Sequence, residues 1–263
     1  MEPNMENLLK EFQKIYLKKW IKGVNDNNSS VGLTFEWLLN KTFDTDIFPD
    51  YKDIEIKCTQ RFSNYPLHLF NQAFDGPNLY ETNYILEKYG TLYNNISDKK
   101  YLFVNLLPNC YVSVNEKYYF LLTLSYIEKK VYIKIYDLNY NLLDSPYIDF
   151  ETINNHLKIK LNSLALIYAS KKEENSAKYF RYYAINFYKL KSLENFYKLI
   201  EKGIIRLSIV CRASFNNGVE KQKNKSITFR IAKKDITKLY DKILEYDADN
   251  KNIILNSDYY FKN

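Results

Sequence analysis

Apolar residues between positions 5 and 20 recur at three- and four-residue steps. Leu8, Leu9, Phe12, Ile15, Tyr16 and Trp20 fall on one stripe, which predicts an amphipathic opening helix. Gly23 and the polar run from Asn25 to Ser30 end it. Ser30 is then placed to cap a second helix through about Asn40, with Leu33, Trp37 and Leu38 as its apolar side. Asp44 to Pro49 reads as an irregular connection. From Asp53 to Cys58 the period changes to two: Ile54 and Ile56 share one face, Glu55 and Lys57 the other.

The rest of the chain continues to switch between the two periods. Pro66 to Ala73 predicts a strand and Asp75-Gly76-Pro77 a turn, and Leu79 to Tyr89 reads as a helix that stops at Gly90. Tyr101 to Asp144 is β-patterned, with a hairpin between Tyr118–Tyr126 and Val131–Asp137 across Glu128-Lys129-Lys130. Asp149 to Leu161 returns to helical spacing, and Leu164–Ala169 and Tyr179–Tyr188 follow as strands. Ser192 to Lys202 is a helix stopped by Gly203, and Ile204 to Phe215 a strand. A polar loop, Asn216 to Ser226, precedes a strand at Ile227–Ile231, and Lys234 to Leu244 predicts the last helix. Interspersed helices and strands give an α/β class in the mixed α+β sense.

Composition narrows the chemistry more than the fold. With 263 residues, 46% of them hydrophobic, the chain can bury a core as one large domain or two closely packed lobes. Two histidines, His68 and His156, are too few for a histidine metal cage, and six dispersed glycines exclude a G-x-G-x-x-G turn or a P-loop. Cys58, Cys110 and Cys211 are odd in number and widely spaced, which reads as free thiols in a reducing compartment. No apolar run approaches the length of a membrane span, and acidic residues occupy the start, so a cytoplasmic location is expected. The net charge of +7 mildly favours a polyanionic partner, although the Lys-, Asn-, Ile- and Tyr-rich composition is also what an A+T-rich genome writes.

The segment Pro49-Asp50-Tyr51-Lys52-Asp53-Ile54-Glu55-Ile56-Lys57 carries the chemistry. Glu55 and Lys57 project from one face of the expected strand, and Asp50 lies where the chain enters it. Two carboxylates brought together repel, and a divalent cation relieves that. Mg²⁺ suits such a site because it takes a few carboxylate oxygens and keeps several waters. A lysine beside the metal can orient or deprotonate an attacking water and offset charge on a phosphate transition state. The pattern suits phosphodiester hydrolysis, whereas Glu116-Lys117 and Glu128-Lys129-Lys130 sit at expected turns and suggest nothing.

Gly32-Leu33-Thr34-Phe35-Glu36-Trp37-Leu38-Leu39, followed by Pro49-Asp50 and Asp53-Ile54-Glu55-Ile56-Lys57, resembles the catalytic stretch of the MvaI/BcnI-type restriction endonucleases. These are PD-(D/E)XK nucleases related to the mismatch-repair nickase MutH. Trp20, Ala165 to Tyr183, Gly203 and Thr228-Phe229-Arg230-Ile231 extend the resemblance along most of the chain. It implies a restriction-endonuclease-like core, a mixed sheet flanked by helices, and two lobes clamping double-stranded DNA. Residues 1–110 are expected to form the catalytic lobe and 111–263 the remaining core and the DNA-recognition lobe. The resemblance further implies a type II enzyme, monomeric and Mg²⁺-dependent, with Mn²⁺ able to substitute, and a cognate DNA methyltransferase encoded nearby. It assigns Asp50 and Glu55 as metal ligands, places Ile56 with them at the metal, and puts Lys57 at the attacking water. Glu36 matches the helix glutamate that supports the site, with an exposed helix residue as its bland alternative.

The chain departs from the family in two places. The strand Leu207 to Arg212 lacks the polar alternation expected of the relatives, so a different DNA sequence is expected to be read, and the loop that follows it differs. Members carry histidine in the loop before Phe-Arg-Ile, where this chain has Lys221-Gln222-Lys223-Asn224-Lys225-Ser226, so no catalytic role is carried over to that loop. Lys221, Lys223 and Lys225 are instead candidates for phosphate contact, which positions a duplex without reading it. Arg230 is the best-matched candidate for base contact, since arginine can bond guanine O6 and N7 together. Arg212, on the neighbouring expected strand, is a second candidate.

Overall fold

The computed structural model describes residues 2–41, 48–60, 63–77, 82–93, 96–216 and 219–256. The chain opens with α1 (Pro3–Leu17), a short β1 (Ile21–Lys22), α2 (Ser30–Leu38), β2 (Glu55–Gln60) and β3 (Leu67–Gln72). Next come α3 (Thr82–Tyr89), β4 (Thr91–Tyr93), β5 (Ile96–Leu106), β6 (Tyr111–Val114), β7 (Tyr118–Ser125) and β8 (Lys130–Tyr136). They are followed by β9 (Leu142–Asp144), β10 (Tyr147–Asp149), α4 (Phe150–Ile159), β11 (Ser163–Glu174) and β12 (Ala177–Leu190). The chain finishes with α5 (Leu193–Glu201), β13 (Ile205–Asn216), β14 (Val219–Ile231), α6 (Ile236–Leu239), β15 (Tyr240–Asp247) and β16 (Asn252–Leu255). The mixed α/β class expected from the pattern is observed. Among the described residues no helix is long and apolar enough to cross a membrane.

Packing divides the chain into two compact units: residues 1–65, 155–193 and 236–263 form the first, and residues 66–154 and 194–235 the second. A single cut near residue 110 falls inside the second unit. The reason is topological, because β11, β12 and β15 come late in sequence yet complete the sheet that β2 begins.

In the first unit the strands run in the order β16-β15-β12-β11-β2, with β1 added to β12. β2 pairs parallel to β11, Glu55 opposite Leu164 and Lys57 opposite Leu166, while the other pairs are antiparallel. The α1 stripe forms as its spacing predicts: Leu8, Leu9, Phe12 and Ile15 are buried in one cluster with Phe35, Ile54, Ile56, Ile167 and Phe187. Trp20 lies beyond the helix and is partly exposed. In α2 the buried side is Val31, Thr34 and Phe35, whereas Trp37 is 54% exposed, so the inward face is rotated from the one expected. Phe35 fixes that rotation, with its ring 5.0 Å from Tyr182 and 6.4 Å from Phe12.

The predicted helix Lys234–Leu244 is the largest local departure. A 3-10 turn at Lys233–Asp235 leads into a single α-helical turn at Ile236–Leu239, and β15 follows at once. Pairing with β12 skips a residue: Leu244 lies opposite Phe187 and Lys242 opposite Tyr188, which leaves Ile243 as the bulge. That bulge buries the adjacent Ile243 and Leu244 together, and a period-two strand then imitates helical spacing.

In the second unit, β3-β14-β13-β5-β4 form an antiparallel sheet, and β10-β8-β7-β6, with β9 on β8, form another. The predicted hairpin is present as β7 and β8, with Tyr119 opposite Tyr136. The first of these sheets buries Leu67, Phe70, Leu102, Val104, Leu207, Ile209, Ile227 and Phe229 on one side. Phe70 stacks on Phe229 at 4.4 Å, and Phe196 of α5 sits 5.9 Å from the same ring. Gly203 ends α5 in the left-handed region at φ 65°. There the Gly203 N–H reaches Ile200 O (2.8 Å) and the Ile204 N–H reaches Leu199 O (2.9 Å), closing the helix C-terminus as its sequence position predicts. The polar stretch expected as a loop before Ile227 is instead the first half of β14, paired with β13. Cross-strand pairing to a long neighbour overrides the weak strand propensity of its lysines and asparagine.

Candidate active site

Asp50 immediately precedes a tight turn in which Tyr51 and Ile54 exchange two backbone hydrogen bonds of 2.9 and 2.8 Å. The turn sends the chain back on itself into β2, and the Ile56 N–H then donates to Asp50 Oδ2 at 3.0 Å. This folds the Asp50 carboxylate back beside the strand, as expected from its place before the strand. Lys41 holds the other oxygen, its Nζ 2.7 Å from Oδ1. Burial acts to raise the Asp50 pKa, but the Lys41 hydrogen bond, the Lys57 charge and the Ile56 N–H together hold it below its ordinary value.

Glu55 is only 1% exposed. Lys57 Nζ donates to its Oε1, and Lys160 Nζ, in the turn after α4, lies 3.7 Å from the same oxygen. The second oxygen, Oε2, is buried with no hydrogen-bond partner among the described residues. Burial pushes the Glu55 pKa up to about 7, and the nearby Asp50 charge adds to the rise against the lowering effect of Lys57 and Lys160. Lys57 behaves in the opposite sense: burial would lower its pKa, but Glu55 and Asp50 raise it, so its ammonium is retained at neutral pH. Glu36 lies close enough for its charge to act on Lys57. The Tyr240 hydroxyl, at the start of β15, is buried without a hydrogen-bond partner among the described residues, and burial and the Glu55 charge hold its pKa high.

Asp50, Glu55 and Lys57 are therefore brought together, with Glu36 acting on Lys57. Lys41, Lys160 and Tyr240 were missed by sequence reasoning, and no spacing signal marks them. Among the described residues no group of three His, Cys, Asp or Glu could hold a metal ion. The site nevertheless fits a hard cation that needs only one or two carboxylates, because a buried carboxylate oxygen lacking a donor is an unfilled ligand position. An isoleucine can add only its main-chain carbonyl, which is what Ile56 would contribute.

The raised Glu55 pKa has a consequence for stability. A carboxyl that prefers its neutral form when folded makes the native state bind protons more tightly than the unfolded chain. The contribution of Glu55 to stability is therefore fully present below the ordinary value of 4.5 and is lost as pH rises towards about 7, opposite in sense to that of Asp50. In EDTA, denaturation of Glu55→Gln and of the unmodified chain should diverge by about 1–3 kcal/mol in the variant's favour between pH 4.5 and 8. Parallel pH curves would show that Glu55 carries no such strain.

The other candidates belong to the second unit. Arg230 on β14 pairs with Arg206 on β13 and with His68 on β3. Arg212 is on β13 too, but six residues beyond Arg206, roughly 20 Å along the strand from the Arg230 rung. Lys223 and Lys225 pair with Ala213 and Cys211, and Lys221 falls at the bulge between Gln222 and Glu220. The side chains of these three lysines lie outside the described residues.

In the solved structures the chain is similar to restriction endonuclease MvaI in complex with its cognate DNA substrate. The TM-score is 0.82 at 24% identity, covering 92% of this chain and 98% of that one. It is also similar to MvaI in the absence of DNA, with a TM-score of 0.56 at 21% identity, covering 97% and 99% of the two chains. At these identities the likeness establishes a shared restriction-endonuclease-like fold. No curated protein sequence matches the chain. The model of the MvaI/BcnI restriction endonuclease family, however, matches residues 9–240, which takes in α2, the Asp50 turn, β2 and the Arg230 strand. The resemblance read from the sequence is borne out, and the chain belongs to the MvaI/BcnI restriction endonuclease family.

Proposed function

We propose that the chain hydrolyses phosphodiester bonds of double-stranded DNA at a short specific sequence, using Mg²⁺, as a type II restriction endonuclease. The observation that carries the reading is the buried Glu55 Oε2, without a partner among the described residues, beside Asp50 and the Lys57 ammonium. Family membership supports a DNA substrate, as does the similar protein's complex with cognate DNA. Restriction endonucleases generally use divalent metal ions, and Mn²⁺ should replace Mg²⁺ here.

Asp50, Glu55 and the Ile56 carbonyl would hold the cation. When bound, a divalent ion makes water a stronger nucleophile and draws charge from a phosphoryl oxygen. The protein's own share is positional. The Ile56 N–H and the Tyr51–Ile54 turn fix the Asp50 carboxylate, and the ladder with β11 fixes Glu55 and Lys57. Lys57, held protonated, places an ammonium at the attacking water and at the charge developing on phosphate. Glu36 helps keep that ammonium charged. Lys41 and Lys160 neutralise the carboxylates until the cation arrives.

In this reading the first unit carries catalysis and the second carries recognition, in a cytoplasmic monomer whose host genome encodes a matching DNA methyltransferase. One active site per monomer requires two successive nicks for each double-strand break. With supercoiled plasmid and Mg²⁺, nicked circles should accumulate before linear product, and EDTA should stop both. Linear product with no nicked intermediate, or a stable dimer by sedimentation on a single-site duplex, would contradict the monomer. Nicked circles that never become linear would point to a MutH-like nickase instead. No cutting with any divalent ion would leave a DNA-binding module of nuclease ancestry.

A further inference from the structure

The sheet β3-β14-β13-β5-β4 has one apolar face, described above, and a second, polar face on which His68, Asn71, Asn105 and Arg206 are exposed. Alternation places Asn71, Thr228, Ser208 and Asn105 in one rung across this second face, with His68, Arg230 and Arg206 in the adjacent rung. Thr228 and Ser208 are 2% exposed, whereas Asn71, Asn105 and His68 are exposed.

The hydrogen bonds in this rung have a direction. The Thr228 hydroxyl donates to Asn71 Oδ1 at 3.1 Å, and His68 Nε2 lies 2.7 Å from the same oxygen. The Ser208 hydroxyl donates to Asn105 Oδ1 at 2.7 Å. Each carbonyl oxygen is thus occupied by an almost fully buried hydroxyl one strand away, and both amide orientations are pinned. What each asparagine has left to offer is its NH₂, and neither has another partner for it among the described residues. Arg206 and Arg230 are donors only.

We infer that Asn71 and Asn105 are specificity-determining residues, pinned by Thr228 and Ser208 so that this face offers hydrogen-bond donors to the acceptor edges of bases, guanine O6 and N7 foremost. The occupant is duplex DNA. The neighbouring guanidinium pair supplies charge complementarity to a polyanion. A flipped asparagine would turn its carbonyl outward and accept from adenine N6 or cytosine N4; here the flip is disfavoured, because it would take the acceptor away from a buried hydroxyl proton. The inference rests on the proposed DNA-cutting function, and deepens it by naming the class of base edge that is read.

The test is selection from a random duplex library in Ca²⁺, which reads preference without cutting, on the full chain and on Asn71→Asp, Asn105→Asp, Thr228→Val and Ser208→Ala. The unmodified chain should enrich a short guanine-containing motif. Each aspartate variant should lose its preference at a distinct position of that motif, by roughly 10-fold or more, and gain adenine or cytosine there. Thr228→Val and Ser208→Ala should relax the same positions as their paired asparagines, with overall affinity nearly kept. These two retain the net charge and shape, so they decide the matter if an aspartate variant does not fold. An unchanged motif in the folded variants would overturn the inference and leave the proposed activity standing. A motif enriched by a chain that never cuts would sink the cleavage reading alone, and the variants would still judge the asparagines. If no motif is enriched, both fail together.

Discussion

Asp50→Ala and Glu55→Ala should each abolish strand cleavage while leaving duplex binding intact. Asp50 is fixed by the Ile56 N–H, and Glu55 is buried with one oxygen unpartnered among the described residues, where no third carboxylate completes a metal-holding group that could take over. Stabilisation by a held cation is several kcal/mol, which corresponds to a loss of roughly 10³-fold or more in rate. Binding should tighten slightly in either variant, because a carboxylate that repels phosphate is gone. Lys57→Ala should lose activity to a similar degree. Lys57→Arg should not restore it, since a planar fork cannot replace a compact ammonium at a water. Single-turnover cleavage and gel-shift measurements on the same duplex separate the two effects. Substantial Mg²⁺-dependent cutting by either carboxylate variant would remove that residue from the site.

The second large effect separates reading from positioning. Arg230 sits in a rung with Arg206 and His68, on the sheet face opposite the apolar one. Arg230→Ala should therefore erode discrimination between the cognate site and single-base variants by about 1–3 kcal/mol at one position. Lys221, Lys223 and Lys225 lie on the first half of the same strand. Replacing all three should weaken cognate and random DNA alike, and flatten the dependence of log affinity on log salt by as much as ~0.9 for each phosphate no longer neutralised. Selectivity lost in the lysine variant and kept in Arg230→Ala would mean that the two roles are reversed. The two outcomes are distinct because a phosphate is the same at every base pair and a guanine edge is not.

The catalytic segment was the most legible part of the sequence. Strand alternation is local, so Ile54 and Ile56 against Glu55 and Lys57 could be read from four adjacent residues. The Tyr51–Ile54 turn that brings Asp50 back is local as well. Lys160 and Tyr240 could not be found this way, because what brings them towards Glu55 is the order of strands in the sheet; Lys41 reaches Asp50 from only nine residues away, but through an irregular connection that carries no periodic signal. The two units follow the same rule. Residues 155–193 and 236–263 join the catalytic strand only through pairing with β11, β12 and β15, which no composition shift announces. The misread helix at Lys234–Leu244 has a different cause. A bulge at Ile243 buries two neighbours in a row, and apolar periodicity cannot tell that from a helical turn. Lysines and asparagines in the first half of β14 hid a strand whose stability comes from its partner, β13.

Mapping the ends produced from a fully sequenced plasmid tests the central claim most directly. The plasmid would be incubated with the unmodified chain or with Glu55→Gln, in Mg²⁺ or in EDTA. The account predicts that, with Mg²⁺, the unmodified chain leaves every break at one short sequence, at a constant offset on each strand, and that the variant and the EDTA reactions leave none. Breaks scattered without a common sequence, or the same breaks made by Glu55→Gln, would contradict it.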